Sequence, residues 1–244
     1  MNRDAQLNKI HSEIASIVIS ASRSGNAIPL KPFASKIAPL LVDYQTNKSN
    51  LELARPVEFY FKALKTALNQ FSKLPERYQF AAIEEDLVSK LPIAKKLRKF
   101  YSTQHLKRLL LFKLVSLLSA EGLSKNKAYE VIQEIMGCIG EKDVGALSIK
   151  QHIRRVINFY TFHYPELKTI PPQERFNEIH AKLDAHLRVL LLPRSTYDGN
   201  FLQAITYNTN VTPSGILNDL RFFAGANHSV SYVWCGYLLS KQPL

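Results

Sequence analysis

Between Leu109 and Ala120 the chain is apolar almost all the way round a helix, with Lys113 as the one charge. A helix that is apolar on most of its circumference has to be covered on most of its circumference. A helix over about 104–120 is therefore expected at the centre of the core, with further helices packed around it. The apolar stretch is too short, and too interrupted by Lys113, to cross a bilayer.

The flanking segments carry the matching pattern. Over 4–22, Leu7, Ile10, Ile14, Ile17, Val18 and Ala21 recur at i, i+3, i+4 spacing, the cleanest amphipathic signal in the chain. Ser24, Gly25, Asn26 and Pro29 then break it. A second helix is expected over 33–47, with Phe33, Ile37, Leu40, Leu41 and Tyr44 inward. A third starts near Pro56, which suits a first-turn position, and carries Val57, Tyr60, Phe61, Leu64, Leu68 and Phe71. Its aromatic residues lie at core spacing, so packing is preferred to base stacking. Pro75 opens a fourth helix, and Pro92 is read as its end or as the start of a fifth.

After the central helix, Gly122, Leu123 and Ser124 end one helix and cap the next. Residues 125–136 put Ala128, Tyr129, Ile132, Ile135 and Met136 on one side, and Gly137–Leu147 reads as a turn region. Ser148 and Gln151 have capping-box spacing and open a helix to about Tyr164. Ile149, Ile153, Val156, Ile157, Tyr160 and Tyr164 form its inner face. A helix over 173–192 follows, carrying Phe176, Ile179, Leu183, Leu187 and Leu190, and Pro193 stops it.

Past Pro193 the character changes. Phe201–Thr209 and His228–Leu239 are rich in β-branched and aromatic residues, and Val230, Tyr232 and Trp234 alternate with Ser229, Ser231 and Val233. That is a period-2 strand signal. Thr212, Pro213 and Ser214 introduce a short helix through Phe223 between the two. The expected fold class is thus mainly α: a multi-helix body containing a helix-turn-helix-like unit, with a small α/β or β-rich C-terminal element. The expected division is an N-terminal helical region over 1–92, a basic helical core over 93–193 and a strand–helix–strand element over 194–244.

Charge narrows the function. The chain is at +12, and from Asp86 to Glu121 no carboxylate intervenes while Lys90, Lys95, Lys96, Arg98, Lys99, Lys107, Arg108 and Lys113 contribute eight positive charges. A second acid-free segment, Val144 to Pro165, carries Lys150, Arg154 and Arg155. Such clustering points to a polyanion, nucleic acid above all. Lys95, Lys96, Arg98, Lys99, Lys107 and Arg108 are expected on phosphates. Lys150, Gln151, Arg154 and Arg155 share the outer face of one helix and suit a major groove, where Gln can pair with adenine and Arg with guanine. Helices over 104–164 would form the helix-turn-helix-like unit, although the Gly137–Leu147 connection exceeds the usual three or four residues. Double-stranded DNA is preferred to RNA, in a regulatory or mobile-element setting.

Two other classes compete. A helical adaptor or assembly subunit would dock an acidic protein on the same basic face. The N-terminal helix or the C-terminal element, with Tyr232 and Trp234 as anchors, would serve a homodimer or protein partner. A strand-transfer enzyme is the minor alternative. His152 and Arg155 have the H-x-x-R spacing that resembles tyrosine recombinases, and Tyr197 would be the nucleophile, but no upstream arginine box is found. The seven histidines and two cysteines show no metal-ligand spacing, the glycines form no phosphate loop, and Cys235 with His228 makes a poor nucleophile–base pair. No enzyme, metal or cofactor is expected. The first twenty residues, interrupted by Asp4, Lys9 and Glu13, do not read as a signal peptide. A soluble, cytoplasmic protein that does not enter a membrane is the expectation.

Overall fold

The apolar periodicity resolves into helices in the computed structural model, which describes residues 3–23, 30–48, 54–76, 79–141, 144–191 and 199–225. Among those residues the chain is mainly helical, in the order α1 (Arg3–Arg23), α2 (Leu30–Asn47), α3 (Ala54–Phe71), α4 (Ala81–Phe100), α5 (Thr103–Ala120), α6 (Lys125–Cys138), α7 (Ala146–His163), a 3-10 turn (Pro165–Lys168), α8 (Pro172–Leu191), α9 (Gly199–Thr206) and α10 (Pro213–Gly225). The chain divides into two compact units, one built from 1–50 and 103–193 and the other from 51–102 and 194–244.

In the first unit α5 is the hub, packing against α2, α6, α7 and α8. Leu106, Leu109, Leu110, Leu111, Phe112, Leu114, Val115 and Leu118 are all buried, as a helix apolar on every side requires. Its one mid-helix charge, Lys113, is only 13% exposed and is paired with Asp184 at 2.7 Å. On α1, Ile10, Ile14 and Val18 are buried against α2 and α6 as their spacing predicts.

Two glycines end the helices around the connections of this unit. Gly122 (φ +83°) closes α5, with its N–H bonded to the Ser119 carbonyl and the Leu123 N–H bonded to that of Leu118. Gly140 (φ +80°) closes α6 in the same way, its N–H reaching Gly137 and the Glu141 N–H reaching Met136. Both are left-handed caps that a side chain would strain. Ser124 then caps α6, its hydroxyl accepting the Lys127 N–H at 3.4 Å.

The second unit pairs α3 with α4, α3 with α10, and α9 with α4 and α10. Its core includes a stacked pair, Phe100 and Phe201, with ring centroids 4.1 Å apart. Tyr60 lies 5.8 Å from the Phe223 ring and donates its hydroxyl to Asp219 Oδ2 at 3.1 Å.

Three expectations are corrected. Phe201–Thr209 is not a strand: no strand occurs among the described residues, and α9 covers its first part. Phe201, Leu202, Ile205 and Thr206 are the buried positions, which is helical spacing. Thr206 is accommodated by donating its hydroxyl to the Leu202 carbonyl at 2.8 Å. The second expected strand, His228–Leu239, lies outside the described residues. Pro92 neither ends nor starts a helix but sits inside α4. The carbonyl it leaves without an N–H partner, that of Val88, belongs to a residue 50% exposed, so water can serve it. Ser148 does not open α7: Gly145 is the cap residue and α7 starts at Ala146.

Candidate nucleic-acid interface

The sequence-selected residues fall on three helices. Lys95, Lys96, Arg98 and Lys99 lie on the second half of α4, whose opposite face (Ile93, Ala94, Leu97 and Phe100) is buried. Lys95, Arg98 and Lys99 are exposed and Lys96 is half-buried. Burial moves the Lys96 ammonium below its ordinary pKa. Arg98 is not simply a solvated charge. Its Nε pairs with Glu58 Oε2, and its guanidinium lies 5.0 Å from the centre of the Phe61 ring.

Glu58 is one of several carboxylates that the fold brings back to the acid-free segment. Lys90 pairs with Asp86 at 2.9 Å and with Asp219 at 3.4 Å. Lys107 pairs with Glu141 at 2.6 Å, and Lys113 with Asp184. Half of the eight cations between Asp86 and Glu121 are therefore matched to acids from elsewhere in their own units. Lys95, Lys99 and Arg108 have no ion pair of that kind among the described residues.

Glu141 is an acid on which three groups converge. It follows the Gly140 cap and receives the Tyr44 hydroxyl at 3.0 Å, Lys48 Nζ at 3.1 Å and Lys107 Nζ at 2.6 Å. Burial works against its charge. The hydrogen bonds from Lys107, Lys48 and Tyr44 overcome that and hold the carboxyl at about 2. Gln45 also donates to the Ile139 carbonyl at 3.2 Å. Ile139 and Glu141, just after α6, are thus tied to α2 and its end and to α5.

On α7 the sequence reading of faces holds. Ile149, Val156 and Tyr160 are buried, while Lys150, Gln151, Arg154, Arg155 and Asn158 are exposed. None of Lys150, Arg154 and Arg155 is in an ion pair with a carboxylate among the described residues. The same stripe continues to two apolar side chains, Leu147 at 78% exposure and Phe162 at 64%, one near each end of the helix. Tyr160 is held from within by His186 Nδ1 at 2.7 Å from its hydroxyl oxygen.

Sequence reasoning did not single out the group beside this face on α5. His105 is buried, and its pKa falls to about 3 because of burial first and the charges of His186, Arg108 and His163 second. Arg108 is half-buried, with Nη2 donating to Gln104 Oε1 at 3.0 Å. His152, half-buried on α7, is lowered by burial and then by Arg108, Arg155 and Lys107. Tyr197, Cys235, His228, Tyr232 and Trp234 lie outside the described residues, so the recombinase-like and thiol pairings have no geometry to report.

A cleft of about 1070 Å³ also opens in the first unit, lined by Arg3, Lys36, Leu40, Asp43, Asp184 and Arg188 among others. None of the residues selected for nucleic acid lines it. Among the described residues no cluster of His, Cys, Asp and Glu is placed to hold a metal ion, and no helix is long and apolar enough to cross a membrane. No protein-family model matches the chain, and no curated protein and no solved structure matches it.

Proposed function

We propose that this protein binds double-stranded nucleic acid, DNA in preference to RNA, with the outer face of α7 in the major groove. The observation that carries the proposal is the exposed group Lys150, Gln151, Arg154 and Arg155, with no carboxylate paired to its three cations among the described residues. A helix of this length fits the major groove, Gln and Arg suit adenine and guanine edges, and Lys150 suits a phosphate. In this reading α5, α6 and α7 act as a helix-turn-helix-like unit with α7 as the reading helix. The joint between α6 and α7 is longer than the familiar motif has, and Glu141 within it is held by Tyr44, Lys48 and Lys107. In the second unit, taken by itself, Lys95, Lys96 and Lys99 suit phosphate contacts, and Arg98 there, like Lys107 in the first unit, contributes less because it pairs with a carboxylate. A regulatory or mobile-element role in the cytoplasm fits such a protein.

The test is binding of the whole protein to a random-sequence DNA duplex across a salt series, beside a variant with Lys150, Arg154 and Arg155 replaced by alanine. Salt-sensitive binding that the variant loses supports the proposal, with log affinity falling by roughly 0.9 per phosphate neutralised for each decade of salt. An RNA duplex of the same length, competing less well, supports the preference for DNA. Absence of binding at low salt removes the proposal.

One observation favours a second reading, in which the same face docks an acidic protein. Leu147 and Phe162 are strongly exposed on that stripe, and apolar anchors flanking a charged strip suit a protein interface. Such an interface loses far less affinity with salt, so the same titration separates the two.

A further inference from the structure

The packing of α5 against α7 brings together a group of nitrogen donors of which the outer-face reading uses only Arg155. The His105 ring lies 4.5 Å from the Phe159 ring, which sets the register of the two helices. One turn along α5 from His105 is Arg108, and one turn back along α7 from Phe159 is Arg155, with His152 a further turn on. Arg108 and Arg155 act on each other electrostatically, and both act on His152, so stepping forward on α5 means stepping backward on α7. The helices are antiparallel here, and the three side chains converge.

Their donors are incompletely used. Arg108 gives Nη2 to Gln104, while its Nε is buried with no hydrogen-bond partner in the structure. His152 Nδ1 is buried and likewise without a partner. Arg155 is exposed and has no carboxylate paired to it among the described residues. A native fold leaves few buried donors unmet, and each one calls for an explanation.

Among the described residues no carboxylate is paired with Arg108, His152 or Arg155. On α5 the neighbours are His105 and Lys107, and on α7 they are Phe159 and His163. From α8 comes His186, which acts on His105. Glu141, the acid paired with the neighbouring Lys107, is already held by Lys48, Lys107 and Tyr44. Two guanidinium groups and an imidazole beside one another, without an acid, raise each other's cost of being charged. An oxyanion reverses that: its oxygens accept from the guanidinium forks and from the ring N–H together.

We infer that Arg108, His152 and Arg155 form a seat for a single phosphate group, placed on the flank of α7 that faces α5. The inference rests on the proposed function for the source of that phosphate, a nucleic-acid backbone gripped beside the groove-reading face. A seat of this kind fixes the register of a helix in a groove, because phosphate contacts position a protein while base contacts specify the sequence. Binding also restores the basicity of His152, since an anion beside the ring favours its protonated form. The grip therefore tightens as pH falls through the range in which His152 gains its proton in the complex.

The test follows the His152 ring by NMR in the whole protein, its signal identified from a His152→Gln variant. The pH titration is run alone, with inorganic phosphate, and with a random-sequence DNA duplex. The expected result is that phosphate and duplex each raise the His152 midpoint by roughly one pH unit. An Arg108→Gln variant that retains the helical circular dichroism spectrum should show no such rise. A midpoint unmoved by both additions overturns the seat, and if the duplex still binds, the proposed function stands without it. A midpoint that phosphate raises while the duplex fails to bind supports the seat and removes nucleic acid as the source of its ligand.

Discussion

Lys107 Nζ lies 2.6 Å from Glu141 Oε2, thirty-four residues further along the chain. A lysine that sequence reasoning offers to a phosphate is thus matched inside the protein. Lys48 Nζ, 3.1 Å away, and the Tyr44 hydroxyl, 3.0 Å away, take the other carboxylate oxygen. The C-terminal end of α2, helix α5 and the segment after α6 meet at this carboxylate.

Replacing that carboxylate is expected to be costly. Glu141→Gln leaves two partly buried ammonium groups without their counter-charge, and about 2–3 kcal/mol of stability should be lost, read as a lower urea midpoint with an unchanged slope. The pH dependence has a definite sign. Glu141 is held at about 2, below its ordinary value of 4.5. Its contribution is complete above pH 4.5 and is lost as pH falls towards 2, so the parent protein should weaken across that window more than the variant does. Equal acid sensitivity in the two proteins would mean that the carboxylate does not hold this connection.

Arg98 and Arg154 should respond differently, although both are exposed arginines on basic helices. Arg98 pairs with Glu58 and covers the Phe61 ring, whereas Arg154 has no such partner among the described residues. Arg98→Ala is expected to lower stability by about 1 kcal/mol and to alter duplex affinity little. Arg154→Ala should leave the melting temperature in place and weaken duplex binding by about 1–3 kcal/mol. If Arg98→Ala is the variant that loses binding, the interface lies on α4 and not on α7.

The contrast shows what can be read along a chain. The helices were legible because burial repeats every three or four residues: Ile10, Ile14 and Val18 on α1, and Ile149, Val156 and Tyr160 on α7, are buried where their spacing places them. The exposed face of α7 was legible for the same reason. Ion pairing was not, because Glu58 meets Arg98 across 40 positions of sequence and Glu141 meets Lys107 across 34. An acid-free stretch in sequence is not an acid-free neighbourhood in space. In α9 a strand was expected from composition alone, yet Phe201, Leu202, Ile205 and Thr206 have the i, i+1, i+4, i+5 spacing of a helix face, and that spacing was the signal to follow. Arg108, His152 and Arg155 come together only through the pairing of α5 with α7. No local pattern announces it.

The second unit holds its own test. Asp219 is 1% exposed and accepts the Tyr60 hydroxyl at 3.1 Å, with Lys90 Nζ 3.4 Å away. Asp219→Ala removes the carboxylate that accepts the Tyr60 hydroxyl, while Lys90 keeps Asp86 at 2.9 Å, so the cost should be about 2–3 kcal/mol. Tyr60→Phe removes one neutral donor and should cost about 1–2 kcal/mol. Combining the two should cost less than their sum, because the hydroxyl and the carboxylate satisfy each other. Strict additivity in chemical denaturation would show that the 3.1 Å contact does not couple them.

The last prediction concerns acid, and it separates stability from binding. His105 is 3% exposed, and its pKa is lowered from 6.5 to about 3, chiefly by burial. A buried imidazole that stays neutral resists the proton which the unfolded chain accepts. Its contribution is whole above pH 6.5, and each unit below that, down to about 3, should cost about 1.4 kcal/mol from this group alone. His105→Phe keeps an aromatic ring beside Phe159 and has no proton to take up. At pH 7 the variant should lie within about 1.5 kcal/mol of the parent, and the difference should shift steadily in the variant's favour as pH falls below 6.5. His152 responds in the other direction on the binding side, because a bound anion favours its protonation. Mild acid is therefore expected to loosen the fold through His105 while tightening the grip through His152. Denaturation and duplex titration on the same pair of proteins, at pH 7 and pH 5.5, read the two effects separately. A His105→Phe variant that is no less sensitive to acid than the parent would place the acid response at another group.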